Sequence, residues 1–300
     1  LSRFYIGCAA TFLLLGCHAK KTDNSVKTAY YHHYGVEIGG EQDWIDRGGN
    51  GEVVRKLNNG VVVREQFRNC MLHGATTVTF PHSDIINRTL QYDKGVLLSE
   101  VTNFVSGMPQ EKKQFLNNGC VLVTLWYEDG TPRAKEEYRD TLLVSGEYFN
   151  HEGHSESRIN DGIGIRIVRD GLGNLVAQET VTQGELILAE LYHPSGSPKE
   201  RIPYSHGKVD GIKKIFLAGG EPVRFEEWKQ GVLDGVVQIF ENGEKCAEVP
   251  YVQGKRNGTE LRYKSGTGVV VEEIAWSYDK RHGASVVILD NEPITTWYYE

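Results

Sequence analysis

Residues able to do chemistry are scattered along this chain, and few stand at the spacings that chemistry requires. His151-Glu152-Gly153-His154, with Glu156 beside it, offers two imidazoles and two carboxylates in a short span. It lacks the His-Glu-x-x-His spacing that puts two histidines on one helical face, and Gly153 sits where a turn is expected, so the segment reads as a solvated loop. His32-His33 lies in a polar stretch and reads as part of a tether. No Gly-x-Ser-x-Gly elbow occurs, so a hydrolase nucleophile has no support. Gly162-Ile163-Gly164 and Gly171-Leu172-Gly173 stand among strand-like runs, with no helix to offer its N-terminus to a pyrophosphate. Glu136-Glu137, Glu226-Glu227 and Glu272-Glu273 recur shortly before Tyr138, Trp228 and Trp276. A catalytic dyad would not recur three times at one repeat position, so these pairs read as a charged, solvated sheet face. No catalytic residue, cofactor or metal site is assigned.

The five cysteines, Cys8, Cys17, Cys70, Cys120 and Cys246, form no Cys-x-x-Cys pair, which removes zinc-ribbon and thioredoxin readings. Cys70, Cys120 and Cys246 are expected as free, buried thiols. A disulfide between two of them is allowed in an oxidising compartment. The 33 basic and 40 acidic side chains leave a net charge of −7, which argues against a nucleic-acid partner. Gly is abundant at 34 of 300, aromatics make up 10%, and Met (2) and Pro (9) are scarce, so a helical bundle and a disordered tail are both excluded.

The elements that would position any site begin after a leader. Residues 1–17 read LSRFYIGCAATFLLLGC, with Arg3 followed by an apolar run from Phe4 to Leu15. That run is too short to span a membrane and suits a signal-peptide core. Its end, Leu14-Leu15-Gly16-Cys17, resembles the lipobox of bacterial lipoproteins, with Leu15 in place of the usual Ala or Ser. The resemblance implies a signal peptide over 1–16 and acylation of Cys17, which anchors the chain to a membrane. His18, not Asp, follows the cysteine, which by the sorting convention of enteric bacteria points to the outer membrane of a diderm cell. Residues 17–47 then read as the acylated N-terminus and a flexible tether.

The remainder, 48–300, is a repeat. Gly211, Gly235, Gly258 and Gly283 open successive units of 23 to 25 residues. Five residues after the first three stand Phe216, Phe240 and Tyr263, and eight after stand Gly219, Gly243 and Gly266. An aromatic-x-x-Gly-x-x-x-Gly pattern closes each preceding unit: Tyr204-x-x-Gly207, Trp228-x-x-Gly231-x-x-x-Gly235 and Tyr251-x-x-Gly254-x-x-x-Gly258. Phe67-x-x-Cys70-x-x-x-Gly74 fits with Cys in the first Gly slot, and between about 75 and 184 the register wanders. Alternation such as Thr259-Glu-Leu-Arg-Tyr263 is that of a half-buried strand, so each unit predicts a hairpin. A lone hairpin is marginal in water, so hairpins must stack edge to edge, with the aromatics laddered along one face.

This period and these turns resemble the MORN family, in the variant carried by bacterial YwqK-like antitoxin proteins, most clearly over 204–283. The resemblance implies an all-β fold, an elongated antiparallel sheet of stacked hairpins, and a role as a membrane-proximal interaction module. The leading expectation is a lipid-anchored, non-enzymatic cell-envelope scaffold with a protein or glycan partner. Two alternatives stand beside it. One is a cell-wall-binding module of choline-binding-repeat type, suggested by Thr296-Trp-Tyr-Tyr-Glu300 although no Gly-Trp occurs in the chain. The other is an enzyme with an unrecognised site.

Overall fold

A computed structural model describes residues 25–290 and 292–300. The expected leader and Cys17 lie outside the described residues. Among those described there are twenty-six strands and one short helix, so the all-β expectation holds. Strand pairing is antiparallel and follows chain order, as stacked hairpins require. The chain divides into two compact units, one ending at Glu156 and the other running Ser157–Glu300.

The first unit starts earlier than the sequence suggests. β1 (Ser25–His32) pairs with β3 (Gly51–Leu57) and briefly with β2 (Glu37–Ile38), and the helix α1 (Glu41–Asp46) lies between β2 and β3. The tether expected over 17–47 is therefore corrected, since residues 25–46 are folded. The reason is that aromatic side chains supply what aliphatic ones do not. Trp44 is buried with Ile38 and Val53, its ring 5.8 Å from Tyr30 and edge-on to Phe67 at 5.3 Å. β4 (Val62–Arg68) and β5 (Met71–Thr79) continue the sheet from β3.

In the second unit the glycine pattern resolves into two devices. The first is a two-residue turn with both central residues at positive φ, as in Gln230-Gly231 (49° and 83°) and Gln253-Gly254 (49° and 81°). This turn matches the right-handed twist of the strands it joins. Its second central amide then reaches back to the preceding hairpin. Gly231 N–H donates to the Val209 carbonyl at 2.8 Å, and Gly254 N–H to the Leu233 carbonyl at 2.8 Å. The second device is a bulge on the returning strand. Gly235 (φ 138°) stands where a Cβ would collide with the Glu227 side chain, whose carboxylate accepts the Val236 N–H at 3.1 Å. Gly211 and Gly258 hold the same place against Pro203 and Pro250. The motif aromatic-x-x-Gly-x-x-x-Gly is thus a turn glycine followed by a bulge glycine.

The opposite turns are less uniform, and one expectation there is corrected. Gly243 (φ 82°) follows Asn242 in a two-residue turn, and Gly266 (φ 73°) lies in a longer one closed by Lys264 N–H to the Val269 carbonyl. Gly219, the third of that set, does not take positive φ; its neighbour Gly220 does, at 96°. Counting eight residues from the bulge falls one short here because this turn, bracketed by Leu217 and Glu221, is longer than Asn242-Gly243.

Strand alternation then fixes one buried row. Glu226, Val237, Val249, Glu260, Ile274 and Ser285 stand side by side on six laterally adjacent strands, all buried. In the first unit Val53, Glu65, Thr76 and Leu90 form the corresponding row, continuing through Glu100, Lys113 and Val123 to Glu136.

A turn glycine and a glycine at a close backbone approach predict different costs. Gly243→Ala meets open space and carries only the left-handed backbone penalty, about 1 kcal/mol. Gly164→Ala, at φ 153°, drives its Cβ into the Arg158 carbonyl oxygen, which cannot step aside, and is expected to lose at least about 2 kcal/mol more. Urea unfolding of both variants measures the difference, and equal losses would reject the close approach of the Arg158 carbonyl as a cost of its own.

Candidate functional site

The aromatic positions singled out from the sequence do not share a face. Trp228 lies three residues after Phe225 on the strand Pro222–Lys229, so alternation points the two rings to opposite sides. On one side Phe225 bridges Phe216 and Phe240, with ring centroids 6.0 and 4.8 Å away. Phe225 was missed because it falls outside the glycine-anchored motif. One strand pair further on, Glu248 takes the corresponding place. It accepts from Tyr263 Oη at 2.7 Å, Lys245 Nζ at 2.7 Å and Gln238 Nε2 at 3.2 Å. The ladder expected along one face is therefore corrected to a ring stack that becomes a polar cluster, with a second set of aromatics, Trp228 and Tyr251 among them, on the reverse. All six of these rings are half-buried.

Buried carboxylates occur in each unit, in the second on this reverse face, and here too an expectation is corrected. Of the pairs expected on a solvated face, Glu227 is exposed and Glu137, Glu272 and Glu273 are half-buried, but Glu136 and Glu226, like Glu260 outside those pairs, are buried, at 5%, 8% and 5% exposed. Each is held by ring donors: Glu226 by Trp228 Nε1 at 2.9 Å, Glu260 by Trp276 Nε1 at 2.8 Å, and Glu136 by the Tyr138 and Tyr148 hydroxyls at 2.9 and 3.0 Å. Arg224 and Arg262 add charge pairing at 2.7 and 2.9 Å. A buried carboxylate is tolerable only when so partnered. Trp276 is also covered by the Arg256 guanidinium, 3.6 Å from its ring centre. These contacts consume the donors and charges locally, so this face is structural chemistry.

The arrangement with polar groups still turned outward lies in the first unit. Tyr31, Glu52 and Gln66 form a cross-strand row over β1, β3 and β4, on the side opposite Tyr30 and Val53. Gln66 Nε2 donates to one Glu52 oxygen at 3.1 Å, and Arg64 Nη1 reaches the other at 3.4 Å. With His32, His33, Gly35 and Gly51 these residues line an open cleft of about 450 Å³. Gly51 lets β3 approach, since any Cβ there would strike the Tyr31 carbonyl oxygen. The rings of His32, His33 and Tyr34 lie with centroids 4.0 and 3.8 Å apart, tilted by 44° and 43°. Partial desolvation, with His33 and Arg47 nearby, holds the His32 imidazole below its usual 6.5. His32 and His33, assigned to a tether from the sequence, thus belong to a folded site. Its other members were not legible in the sequence, because Arg64-Glu65-Gln66 is polar throughout and alternation there does not mark the side away from the core; pairing puts Glu65 in the row of Val53 and Thr76.

The remaining candidates separate. His151 pairs with Asp129 at 3.2 Å and stacks on Tyr127, while His154 pairs with Glu152 at 3.2 Å, and both pairs are solvent-exposed. Gly153 is a turn glycine, as expected. Cys70, Cys120 and Cys246 are free thiols, but only Cys120 is buried. Cys70 is exposed because it fills the second place of a tight turn, at φ 58°, and burial pushes the half-buried Cys246 thiol up.

Two outcomes follow from the partnered carboxylates. Glu226→Ala strands the Trp228 donor, removes the counter-charge of Arg224 and is expected to cost about 2 kcal/mol, whereas the exposed Glu241→Ala should cost under about 0.5 kcal/mol; calorimetry distinguishes them. The Lys245 hydrogen bond, aided by Tyr263, holds Glu248 below its ordinary 4.5 against the opposing effect of burial. The stability it contributes is fully present above that ordinary value and is lost as pH falls through the lower folded-state value. Glu248→Gln should flatten that acid limb of the stability profile.

No protein-family description and no curated protein matches the chain. Among solved structures, chains of the TcdB2-TccC3-Cdc42 and TcdB2-TccC3-TEV crystal structures are similar over 75% and 79% of this chain, at 12% identity and TM-scores of 0.17 and 0.20. A chain of the Photorhabdus luminescens Tc holotoxin pore is similar over 79%, at 12% identity and a TM-score of 0.20. This chain spans 15% of the length of each, and likeness at that level transfers neither fold nor function.

Proposed function

We propose that this protein is a lipid-anchored, non-enzymatic scaffold of the cell envelope, of MORN-like construction, held to the cell membrane or outer membrane through Cys17 and presenting its sheet to a protein or glycan partner. The observation that carries the reading is the recurrence of like side-chain positions on alternate strands, about 10 Å apart, as in Phe216 and Phe240 or Trp228 and Tyr251. A surface ruled in this way suits a partner that is itself repetitive or extended. The lipobox-like Leu14-Leu15-Gly16-Cys17 supports the anchor, since a multiply acylated cysteine holds a protein stably at a bilayer.

Expressed in a bacterial host, the full chain should partition into the detergent phase of Triton X-114. Cys17→Ala should move it to the aqueous phase or leave it unprocessed. Detergent partitioning retained by Cys17→Ala would reject the anchor.

A further inference from the structure

A neutral, hydroxyl-rich ligand is what the chemistry of the β1–β3–β4 cleft fits. Its charged members cancel, Arg64 against Glu52, so neither an anion nor a cation finds an unopposed partner. The Glu52 carboxylate is held at both oxygens by different donors, which fixes its plane and leaves further lone pairs directed outward. The Arg64 side chain is 54% exposed and keeps donors beyond the one it spends on Glu52. Gln66 adds a carbonyl oxygen and a second amide hydrogen. Acceptors and donors thus alternate along one short edge, which is the arrangement that two adjacent hydroxyl groups satisfy. Beside them Tyr31 supplies a half-buried ring, an apolar flank against which the C–H face of a sugar can lie. At about 450 Å³ the cleft is within the size range of small-ligand sites. The lowered His32 pKa agrees with this, because a neutral imidazole at pH 7 adds no charge and both donates and accepts.

We propose that this cleft binds a pyranose unit of a glycan through adjacent hydroxyls, with Glu52, Arg64 and Gln66 as its hydrogen-bonding edge and Tyr31 as its apolar flank. The inference deepens the scaffold reading by naming the partner's chemistry. Its test uses no membrane, so failure of the anchor and failure of the sugar site are separable.

The full chain in detergent micelles is titrated with methyl α-glucopyranoside and with N-acetylglucosamine, followed by saturation-transfer difference NMR. Transfer to at least one sugar is expected at millimolar concentrations, as for other single-unit ligands. Arg64→Met and Gln66→Ala should each weaken it at least about tenfold, the loss of one good polar contact. Arg88→Met, on the opposite side of the same unit and paired with Glu100, should leave it unchanged. Circular dichroism confirms folding, and if Arg64→Met misfolds, Gln66→Ala decides. Absence of transfer to both sugars, equal transfer in the folded cleft variants, or displacement of bound sugar by inorganic phosphate would each overturn the proposal.

Discussion

A tight turn with both central residues left-handed exposes an amide that its own hairpin cannot satisfy, and the fold depends on where that amide goes. Here it goes to the preceding hairpin: Gly231 to Val209, Gly254 to Leu233, Asp279 to Arg256 and, upstream, Gly95 to Leu72. The donor lies 21 to 23 residues after its acceptor, so the repeat length is a hydrogen-bond length measured along the chain. Stacking is therefore more than apolar contact. Each hairpin completes the backbone bonding of its predecessor, and a hairpin removed leaves a polar group without a partner.

Alternation does the rest. Once the turns set the register, every second residue is committed to one face, and a slip of one residue would exchange the faces entirely. The buried carboxylates make such a slip expensive. Glu260 finds the Trp276 indole on the neighbouring strand only in the observed register, and a slipped strand would take that donor away, whereas Glu226 carries its donor, Trp228, on its own strand. Polar groups that contribute little net stability can therefore still select one alignment among many.

How much of this was legible depended on whether the signal was local. The turn and bulge glycines stood in the sequence because positive φ restricts residue choice, and Gly231, Gly235, Gly254 and Gly258 occupy those places. The buried glutamates were not legible, because nothing near Glu226 in the chain announces that Val237 and Ile239 on the neighbouring strand enclose it. The strand Ser25–His32 was hidden by its own composition, as Tyr and His served where Val and Ile were sought. The cleft followed from that error, since Tyr31 and His32 were assigned to a tether and Glu52 is joined to them only through strand pairing.

The two edges of the sheet in the second unit also differ in freedom. Gln230-Gly231 and Gln253-Gly254 are held at two residues, whereas the opposite turns range from Asn242-Gly243 to the longer crossing between Lys264 and Val269. On the strict side a gained or lost codon would break a bond to the neighbouring hairpin; on the other it changes only the size of a solvent-facing bend. Insertions and deletions should therefore accumulate along one rim of the gene product and be purged from the other. A laboratory epitope or fluorophore tag belongs at Ser265 to Gly268, where the molecule already accommodates irregular length.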